Sequence, residues 1–257
     1  MNKYLYPCFN HWFENNGQVF FYSDPHFDDK EAEMFRKVKI TSEEQVKRIN
    51  AKLGKNDTLV ILGDIGNLEW VKKIRAGRKI LILGNHDKGV SNYQRKVYRK
   101  YFSNNIIVGS EEEKLYKKFL SEGYKPGSEL NVIGERNFYL EKDNKLFDEV
   151  YEGCLMLSDN IILSHEPVDF KFAFNIHGHD HSAQDFVKYV LNYYDCDMNT
   201  KDLIDNYLDV IKTEKLLRLN VCCEWINFEP INLNKIVKSG VLKKVPNIHR
   251  VYLDSIK

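Results

Sequence analysis

The segment Lys79-Ile-Leu-Ile-Leu-Gly-Asn-His-Asp87 joins a short apolar run to a glycine and three polar side chains. A short apolar run that ends at a glycine is typical of a buried strand followed by a tight turn. Four other segments share this pattern and end in side chains able to bind a metal ion: Val19 to Asp24, Thr58 to Asp64, Asn160 to His165 and Phe172 to His179. The sequence therefore predicts five buried strands with polar side chains at one end.

Helical patterns lie between the predicted strands. Ser42-Glu-Glu-Gln45 predicts a helix that begins with a capping box and stops at Gly54. A second helix is predicted through Leu68 and Ile74, ending near Gly77. Strands that alternate with helices indicate an α/β layered fold, in which ligands collect at the carboxyl ends of the strands.

The composition places the chain among ordinary globular proteins. Of its 257 residues 43% are hydrophobic and 29% are charged, which argues against a disordered or fibrous chain. Lys and Arg number 38 against 37 Asp and Glu, so the net charge of +1 provides no chain-wide surface for nucleic acid or anionic membrane. No apolar run approaches the roughly 18 residues that cross a bilayer, so no membrane partner is predicted.

The amino terminus and the cysteines favour a cytoplasmic location. Residues 1 to 9 lack the apolar core and the small-residue cleavage site of a signal peptide. The five cysteines are scattered, odd in number and without C-x-x-C spacing, which fits reduced thiols better than disulfides or a zinc knuckle. They are Cys8, Cys154, Cys196, Cys222 and Cys223.

The ends of the predicted strands supply an ordered set of oxygen and nitrogen donors. These residue types suit Mn, Fe or Zn, and no thiolate is among them. Two divalent ions roughly 3.5 to 4 Å apart need one bridging carboxylate and several terminal ligands, which this set can supply. The groups are Asp24-Pro25-His26, Gly63-Asp64, Gly84-Asn85-His86-Asp87, Ser164-His165 and Gly178-His179-Asp180-His181.

In these five groups the sequence resembles the calcineurin-like metallophosphoesterase superfamily, whose signature is D-x-H, G-D, G-N-H-D/E, H and G-H-x-H in that order. The resemblance covers roughly Val19 to Ser182. It extends to Asn220 to Ile231, a segment similar to the closing strand and loop of compact bacterial and phage members. It implies an α/β fold with a central β-sandwich flanked by helices, and a dinuclear metal site at the carboxyl ends of the strands.

The resemblance also implies two divalent ions, Mn, Fe or Zn, that share Asp64 as a bridging ligand. A hydroxide held between the ions would attack phosphorus in line. The remaining implied ligands are Asp24, His26 and His181 for the first ion, and Asn85, His165 and His179 for the second.

Two further residues of the third group carry implied catalytic roles. His86 matches no ligand position, and the resemblance implies that it contacts the phosphate and protonates the leaving oxygen. Asp87 would hold the other ring nitrogen of His86 and raise its pKa. Asn85 and His86 would both contact the substrate.

Residues 93 to 101 interleave basic and aromatic side chains just after the third group. On a helix Arg95 and Arg99 would share a face. A solvated surface is one interpretation of this segment. The other is a substrate-binding grip on the phosphate of a nucleotide or nucleic acid.

Two features bear on contacts with the rest of the substrate. The chain has Phe27-Asp28-Asp29 where compact members often carry Gly-His after the first Phe, so a substrate contact at this point stays open. Trp12, Trp70 and Trp225 are interpreted as packing residues rather than stacking platforms.

Two polar segments interrupt the strand and helix pattern, at about 103–146 and 183–217. The first predicts a short helix around Glu111 to Ser121. The second predicts helices, including one through Leu203 and Ile211, that either cover the site or form a peripheral pair. We interpret residues 1–257 as a single metallophosphoesterase domain with these two insertions.

The leading hypothesis is a metal-dependent phosphoester hydrolase that acts on a phosphodiester or phosphomonoester, with a nucleotide-type substrate favoured. One alternative is a nuclease or phosphatase subunit that processes nucleic acid. Another is a binding module that keeps the metallophosphoesterase fold without catalysis. The partner would thus be a small phosphoester, a nucleotide or a nucleic acid, and the sequence does not give the oligomeric state.

Overall fold

The computed structural model describes residues 5–36, 39–102, 106–127, 130–132, 135–181 and 203–246. The chain divides into two compact units, of which the larger comprises Met1–Tyr93 with Phe147–Lys257 and the smaller comprises Gln94–Leu146. The interpretation as one domain with two insertions stays a prediction, and residues 183–202 of the second predicted insertion lie outside the described residues.

The described residues form thirteen strands and five α-helices. The helices are α1 (Lys30–Phe35), α2 (Ser42–Lys52), α3 (Glu111–Ser121), α4 (Leu203–Thr213) and α5 (Leu233–Ser239). The strands are β1 (Val19–Tyr22), β2 (Thr58–Ile61), β3 (Arg78–Ile82), β4 (Lys96–Phe102), β5 (Lys125–Pro126), β6 (Leu130–Val132), β7 (Glu135–Asn144), β8 (Glu149–Tyr151), β9 (Leu155–Ser158), β10 (Ile161–Leu163), β11 (Phe174–His177), β12 (Arg218–Asn220) and β13 (Ile231–Asn232).

The larger unit contains two sheets. One has the strand order β13-β1-β2-β3-β8, in which β1, β2, β3 and β8 run parallel and β13 is antiparallel. The other has the order β12-β11-β10-β9, with β10, β11 and β12 parallel. All residues of β1 and β2 are buried, as the continuous apolar runs of parallel strands predict.

A bridge between Ser23 and Cys222 joins the ends of β1 and β12, one strand from each sheet. Each of the five runs that the sequence predicts as buried strands forms one, namely β1, β2, β3, β10 and β11. The predicted α/β fold with central sheets and flanking helices is therefore confirmed.

The helix predictions are partly right. Helices α3 and α4 lie where the patterns place them, and α2 covers the segment that begins at Ser42. The cap of α2 is Thr41, whose side chain accepts a hydrogen bond from the Glu44 amide at 3.2 Å. Ser42 does not cap the helix as predicted, because its hydroxyl donates to Asp28 instead.

The helix predicted through Leu68 and Ile74 is wrong, since only a short 3-10 turn forms at Val71–Lys73. The side chain of Asn50 explains this difference. It donates to the Lys73 carbonyl at 3.0 Å and accepts from the Arg75 amide at 2.7 Å. These two backbone groups are therefore not available to continue a helix.

The smaller unit is built on a sheet with the order β4-β7-β5, with β6 also paired to β7. Arg99 lies on β4 and Arg95 directly precedes it, so the helical face expected for these two residues is wrong. Antiparallel pairing with β7 explains the strand, because it places Tyr101 opposite Tyr139 with ring centroids 5.7 Å apart.

The chain leaves the larger unit after Tyr93 and returns to it at Phe147. The rings of these two residues lie 6.2 Å apart in an edge-to-face contact, and both side chains are buried. The two chain ends at this boundary are therefore close together within the larger unit.

Candidate metal centre

The predicted ligands lie just beyond the carboxyl ends of parallel strands in the larger unit. Two groups of three bring their ligand atoms within 4.8 Å of one another. The first group is Asp24, His26 and His181, and the second is Asp64, His165 and His179.

One carboxylate oxygen connects the two groups. Oδ2 of Asp64 lies 3.6 Å from Nε2 of His26 and 3.4 Å from Nε2 of His165. A carboxylate placed between two sets of terminal ligands has the arrangement that a bridging ligand requires.

Asn85 lies with the second group. Its Oδ1 is 2.7 Å from Nε2 of His165 and 3.1 Å from Nδ1 of His179. The two ring nitrogens are themselves 3.2 Å apart. An amide oxygen and two imidazole nitrogens thus converge on one small region, as the ligands of a single ion do.

The chemistry of Asp24 fits a divalent cation. Asp24 is fully buried, and its Oδ1 has no hydrogen-bond partner among the described residues. Burial raises the pKa of this carboxyl. A buried carboxylate oxygen without a partner is costly, and a bound cation would offset that cost.

Backbone strain is concentrated at the same residues. The backbone φ angles of Asp24, Asp64 and His179 are 54°, 52° and 69°. These values lie in the left-handed region, which residues other than glycine rarely adopt. Hydrogen bonds hold these turns, for example from the Asp24 amide to the Gly63 carbonyl at 3.1 Å. Such strained residues cluster at functional sites, where the surrounding fold enforces their conformation.

Glycines leave the space that the carboxylates occupy. A Cβ at Gly84 would lie 2.2 Å from Oδ1 of Asp64, and a Cβ at Gly178 would lie 2.3 Å from Oδ2 of Asp24. Any larger residue at these positions would displace a predicted ligand. Gly84 and Gly178 are thus required because neighbouring carboxylates pack closely against them.

Two of the histidines, His26 and His165, are oriented through their second ring nitrogen. Nδ1 of His26 is 3.0 Å from Oδ2 of Asp29, and Nδ1 of His165 is 2.8 Å from the Leu62 carbonyl. Burial alone lowers the pKa of His165, but its hydrogen bond to Asp64 and the nearby Asp24 charge raise it to about 9. Such contacts fix the ring that faces a metal.

Two residues that the sequence patterns do not single out support His181. Both carboxylate oxygens of Glu224 lie 3.2 Å from Nδ1 of His181. Arg36 donates from Nε to Glu224 at 2.6 Å and from Nη2 to the Asp24 carbonyl at 2.6 Å. The only available signal was the position of Glu224 after a predicted strand, because Arg36 and Glu224 are 188 residues apart in sequence.

A third group of candidate ligands, His181, Cys222 and Glu224, also lies within 4.8 Å. Arg36 already provides a cation beside it, and the side chains of Arg36 and Glu224 are only 4% and 9% exposed. We therefore assign this group to the support of His181 rather than to a third ion.

His86 is anchored by its backbone amide, which donates to Oδ1 of Asp64 at 2.9 Å. Its side chain is exposed, and the ring centroid lies 5.6 Å from that of His26. The imidazole therefore stands next to the first group and remains open to a substrate.

Asp87 does not make the contact that the resemblance implies, since no hydrogen bond to the His86 ring occurs among the described residues. Its Oδ2 accepts from the backbone amides of Asp64 and Gly84, each at 2.9 Å. Its Oδ1 accepts from the Ile65 amide at 3.1 Å and from the Tyr93 hydroxyl at 3.2 Å. Both oxygens are thus used to hold the turn that carries Asp64.

Arg95 and Arg99 belong to the smaller unit, and each forms an ion pair across the sheet. Nη2 of Arg95 is 2.6 Å from Asp143, and Nε of Arg99 is 3.0 Å from Glu141. Their contact with a substrate stays a prediction.

The α/β fold and these paired aspartate and histidine groups define a metallophosphoesterase-type site. The family model for calcineurin-like phosphoesterases matches residues 17–199. The chain belongs to this family, and membership supports metal-dependent hydrolysis of phosphoesters. No curated protein is significantly similar in sequence.

Two solved structures are similar to the chain. One is AQ665, a protein of unknown function from Aquifex aeolicus, with 20% identity and a TM-score of 0.43 over 87% of this chain and 99% of that one. The other is the nuclease MPE from Pseudomonas putida, with 17% identity and a TM-score of 0.32 over 63% of this chain and 61% of that one. These low TM-scores add nothing on function. In the described part of the chain, no helix is long and apolar enough to cross a membrane.

Proposed function

We propose that the chain is a dinuclear-metal phosphoester hydrolase that acts on a phosphodiester or phosphomonoester, with a nucleotide-type substrate. This proposal rests on the position of the Asp64 carboxylate. One of its oxygens, Oδ2, lies near both His26 of the first ligand group and His165 of the second. When bound, two divalent ions would acidify a water molecule and neutralise charge on the phosphoryl group.

The donor set supports Mn, Fe or Zn, because it contains carboxylate, amide and imidazole groups and no thiolate. In this proposal Asp64 is shared by both ions. The first ion would also be held by Asp24, His26 and His181, and the second by Asn85, His165 and His179.

The residues that act on the substrate follow from the same geometry. Asn85 uses its Oδ1 toward His165 and His179, which leaves its amide NH₂ to donate to a phosphate oxygen. His86 is exposed beside the first group and would protonate the leaving oxygen. Asp87 acts as a positioning residue, since it holds the backbone of the Asp64 turn.

A metal reconstitution experiment tests this function. The protein is stripped with a chelator and restored separately with Mn, Fe, Zn or Mg. Phosphomonoesters, phosphodiesters and 2′,3′-cyclic nucleotides are then assayed in parallel. We expect activity with at least one of Mn, Fe or Zn, and an Asp64→Asn variant that kept full activity would refute the dinuclear mechanism.

A second candidate function is the processing of nucleic acid, either by the chain alone or as a nuclease or phosphatase subunit. It is favoured by exposed aromatic side chains on β4, where Tyr98 and Tyr101 are 45% and 60% exposed beside Arg99. Binding to DNA or RNA should then weaken steeply with salt and with replacement of Arg95 and Arg99. The absence of binding at low salt would exclude it.

A binding module without catalysis is distinguished by the same reconstitution assay, because it would bind metal and turn over no ester.

A cytoplasmic location is supported by the cysteines, since Cys8, Cys154, Cys222 and Cys223 are all free.

A further inference from the structure

A cavity of about 820 Å³ lies in the larger unit, beside the loop that carries Asp24 and His26. None of the predicted metal ligands lines it. Its wall combines apolar and charged side chains, among them Asp28, Lys30, Met34, Arg36, Ile40 and Trp70.

Two residues connect this cavity to the first ligand group. Asp28 follows His26 by two positions, so their Cα atoms are at most roughly 7 Å apart. Arg36 lines the cavity while its Nη2 donates to the Asp24 carbonyl at 2.6 Å. The cavity and the first ligand group are therefore neighbours in the larger unit, and Arg36 contacts both.

Trp70 forms a fixed aromatic wall of this cavity. Its Nε1 donates to Oδ2 of Asp28 at 2.6 Å, and Asp28 is held in turn by Asn67 and Ser42 at 2.8 Å each. The Lys73 ammonium lies 3.6 Å from the centroid of the indole ring. These contacts fix the ring before any ligand binds, so Trp70 has more than the packing role expected from the sequence.

Met34 adds an adaptable apolar contact. Its side chain is 72% exposed although it lines the cavity, and a thioether packs well against aromatic rings. An exposed methionine and a fixed indole in the wall of one cavity favour a flat ligand with apolar faces.

The charges of the wall argue against a second phosphate as the occupant. Among the described residues three cationic and three acidic side chains line the cavity, and their formal charges cancel: Lys30, Arg36, Lys39, Asp28, Glu33 and Glu43. Arg36 is moreover already paired with Glu224. The cavity therefore favours a neutral planar group with polar edges over an anion.

We propose that this cavity binds the nucleobase of a nucleotide phosphoester, with the base against Trp70 and Met34 and the phosphate at the metal centre. This inference rests on the proposed function, because it assigns the substrate class of the same site. Base stacking on an aromatic side chain is tolerant of sequence, so no preference among bases is implied.

Two esters with the same leaving group isolate the contribution of the base. Thymidine 5′-(p-nitrophenyl phosphate) carries a nucleoside, and methyl p-nitrophenyl phosphate carries a methyl group in its place. In the Mn-loaded full chain, Trp70→Ala should raise KM for the thymidine ester about tenfold, with kcat within about twofold. The methyl ester should be hydrolysed as by the wild type, and equal effects on both esters would overturn the proposal.

Two further variants guard against a folding defect in Trp70→Ala. Met34→Glu places a carboxylate in the cavity at an exposed position, and should also raise KM for the thymidine ester alone. Leu216→Glu is the matched control, since Leu216 is 40% exposed and does not line the cavity. A Met34→Glu enzyme with unchanged KM would contradict the assignment.

Binding without turnover separates this inference from the proposed function. Thymidine 5′-monophosphate should quench tryptophan emission of the wild type, and the quench should be lost in Trp70→Phe. If neither ester is hydrolysed with any metal, the hydrolase proposal fails while the quench still reports on the cavity. Equal quenching by O-phosphotyrosine would show that any aromatic phosphoester enters, which would overturn the nucleobase assignment.

Discussion

Both carboxylate oxygens of Glu224 lie 3.2 Å from Nδ1 of His181, and the other ring nitrogen, Nε2, lies 3.6 Å from Oδ1 of Asp24. Burial opposes the charged form of Glu224, but the His181 hydrogen bond and the Arg36 charge lower the pKa of this carboxyl well below its usual range. A charged carboxylate therefore sets the orientation of a predicted metal ligand.

Replacing Glu224 should weaken one ion of the pair. Glu224→Gln keeps the shape but removes the charge that orients His181, so the affinity for the first ion should fall about 10- to 100-fold. Calorimetric titration of the stripped protein with Mn would measure the two ions separately. Glu229→Gln, at a partly exposed ion pair with Lys52, is the matched control and should leave both affinities unchanged. Equal weakening of both ions would contradict a role specific to His181.

Replacing Asp24 should have opposite effects on the metal-free and metal-loaded protein. Oδ1 of Asp24 is buried and accepts no hydrogen bond among the described residues, and burial raises the pKa of this carboxyl although His165 and His181 lower it. Asp24→Asn therefore removes a charge whose desolvation these two histidines offset only in part. The free energy of unfolding of the metal-free protein should rise by about 1 to 3 kcal/mol. Added Mn should stabilise the wild type and fail to stabilise the variant. Urea unfolding with and without Mn measures both effects, and a destabilised metal-free variant would argue against a cation site here.

Replacing His86 should separate chemistry from metal binding. His86→Ala should retain both ions, because only its backbone amide contacts Asp64. Turnover should fall about 100-fold or more for esters with poor leaving groups and less for p-nitrophenyl esters, which need little protonation. Metal content by mass spectrometry and parallel rates on the two ester types test this, and loss of metal would overturn the assignment.

Replacing Asp87 should disturb the Asp64 turn. Asp87→Ala leaves three backbone amides without their acceptor and should cost about 2 to 4 kcal/mol of unfolding free energy. Tyr93→Phe removes a hydroxyl that donates to the same carboxylate and accepts from the Lys88 amide, and should cost about 1 to 2 kcal/mol. Urea unfolding of both variants gives the comparison. Equal losses would mean that the backbone contacts contribute little.

The stability of the metal-free protein should fall as the pH rises toward alkaline values. Burial alone would lower the pKa of His165, but Asp64 and Asp24 raise it from 6.5 to about 9. Because the folded pKa lies above the unfolded one, the protonated ring stabilises the fold fully below pH 6.5 and this contribution is lost as the pH rises through 9. Unfolding of chelated wild type and His165→Gln at about pH 6 and about pH 9.5 tests the sign, because the variant should lose this dependence.

Local patterns were enough to locate the strands and the turns that follow them. An apolar run that ends in glycine and a polar residue is a short-range signal, and Asp64, Asn85 and His179 all follow such runs. The residues expected to gather do lie together, while their metal binding stays a prediction. The pairing of Arg36 with Glu224 could not be predicted in the same way, since it depends on how two distant segments fold together.

Competing partners explain the remaining differences. Arg95 and Arg99 have the four-residue spacing of a helical face, and Val97, Arg99 and Tyr101 have the two-residue spacing of a strand. The sequence fits both structures equally well. Pairing with β7 makes the segment a strand. Ser42 is a good helix cap by type, but Asp28 binds its hydroxyl and the cap moves to Thr41. Such choices depend on tertiary contacts that a single sequence does not reveal.

The contact between Tyr93 and Phe147 would allow the smaller unit to be removed from the chain or replaced. Because the rings at the two ends of the smaller unit lie 6.2 Å apart, a linker of a few residues could replace 94–146 with little loss of entropy on closure. The same junction could accept a foreign module in that place. Metal binding by the shortened chain would then be measured in the absence of the smaller unit, and the smaller unit could be exchanged without redesign of the sheets.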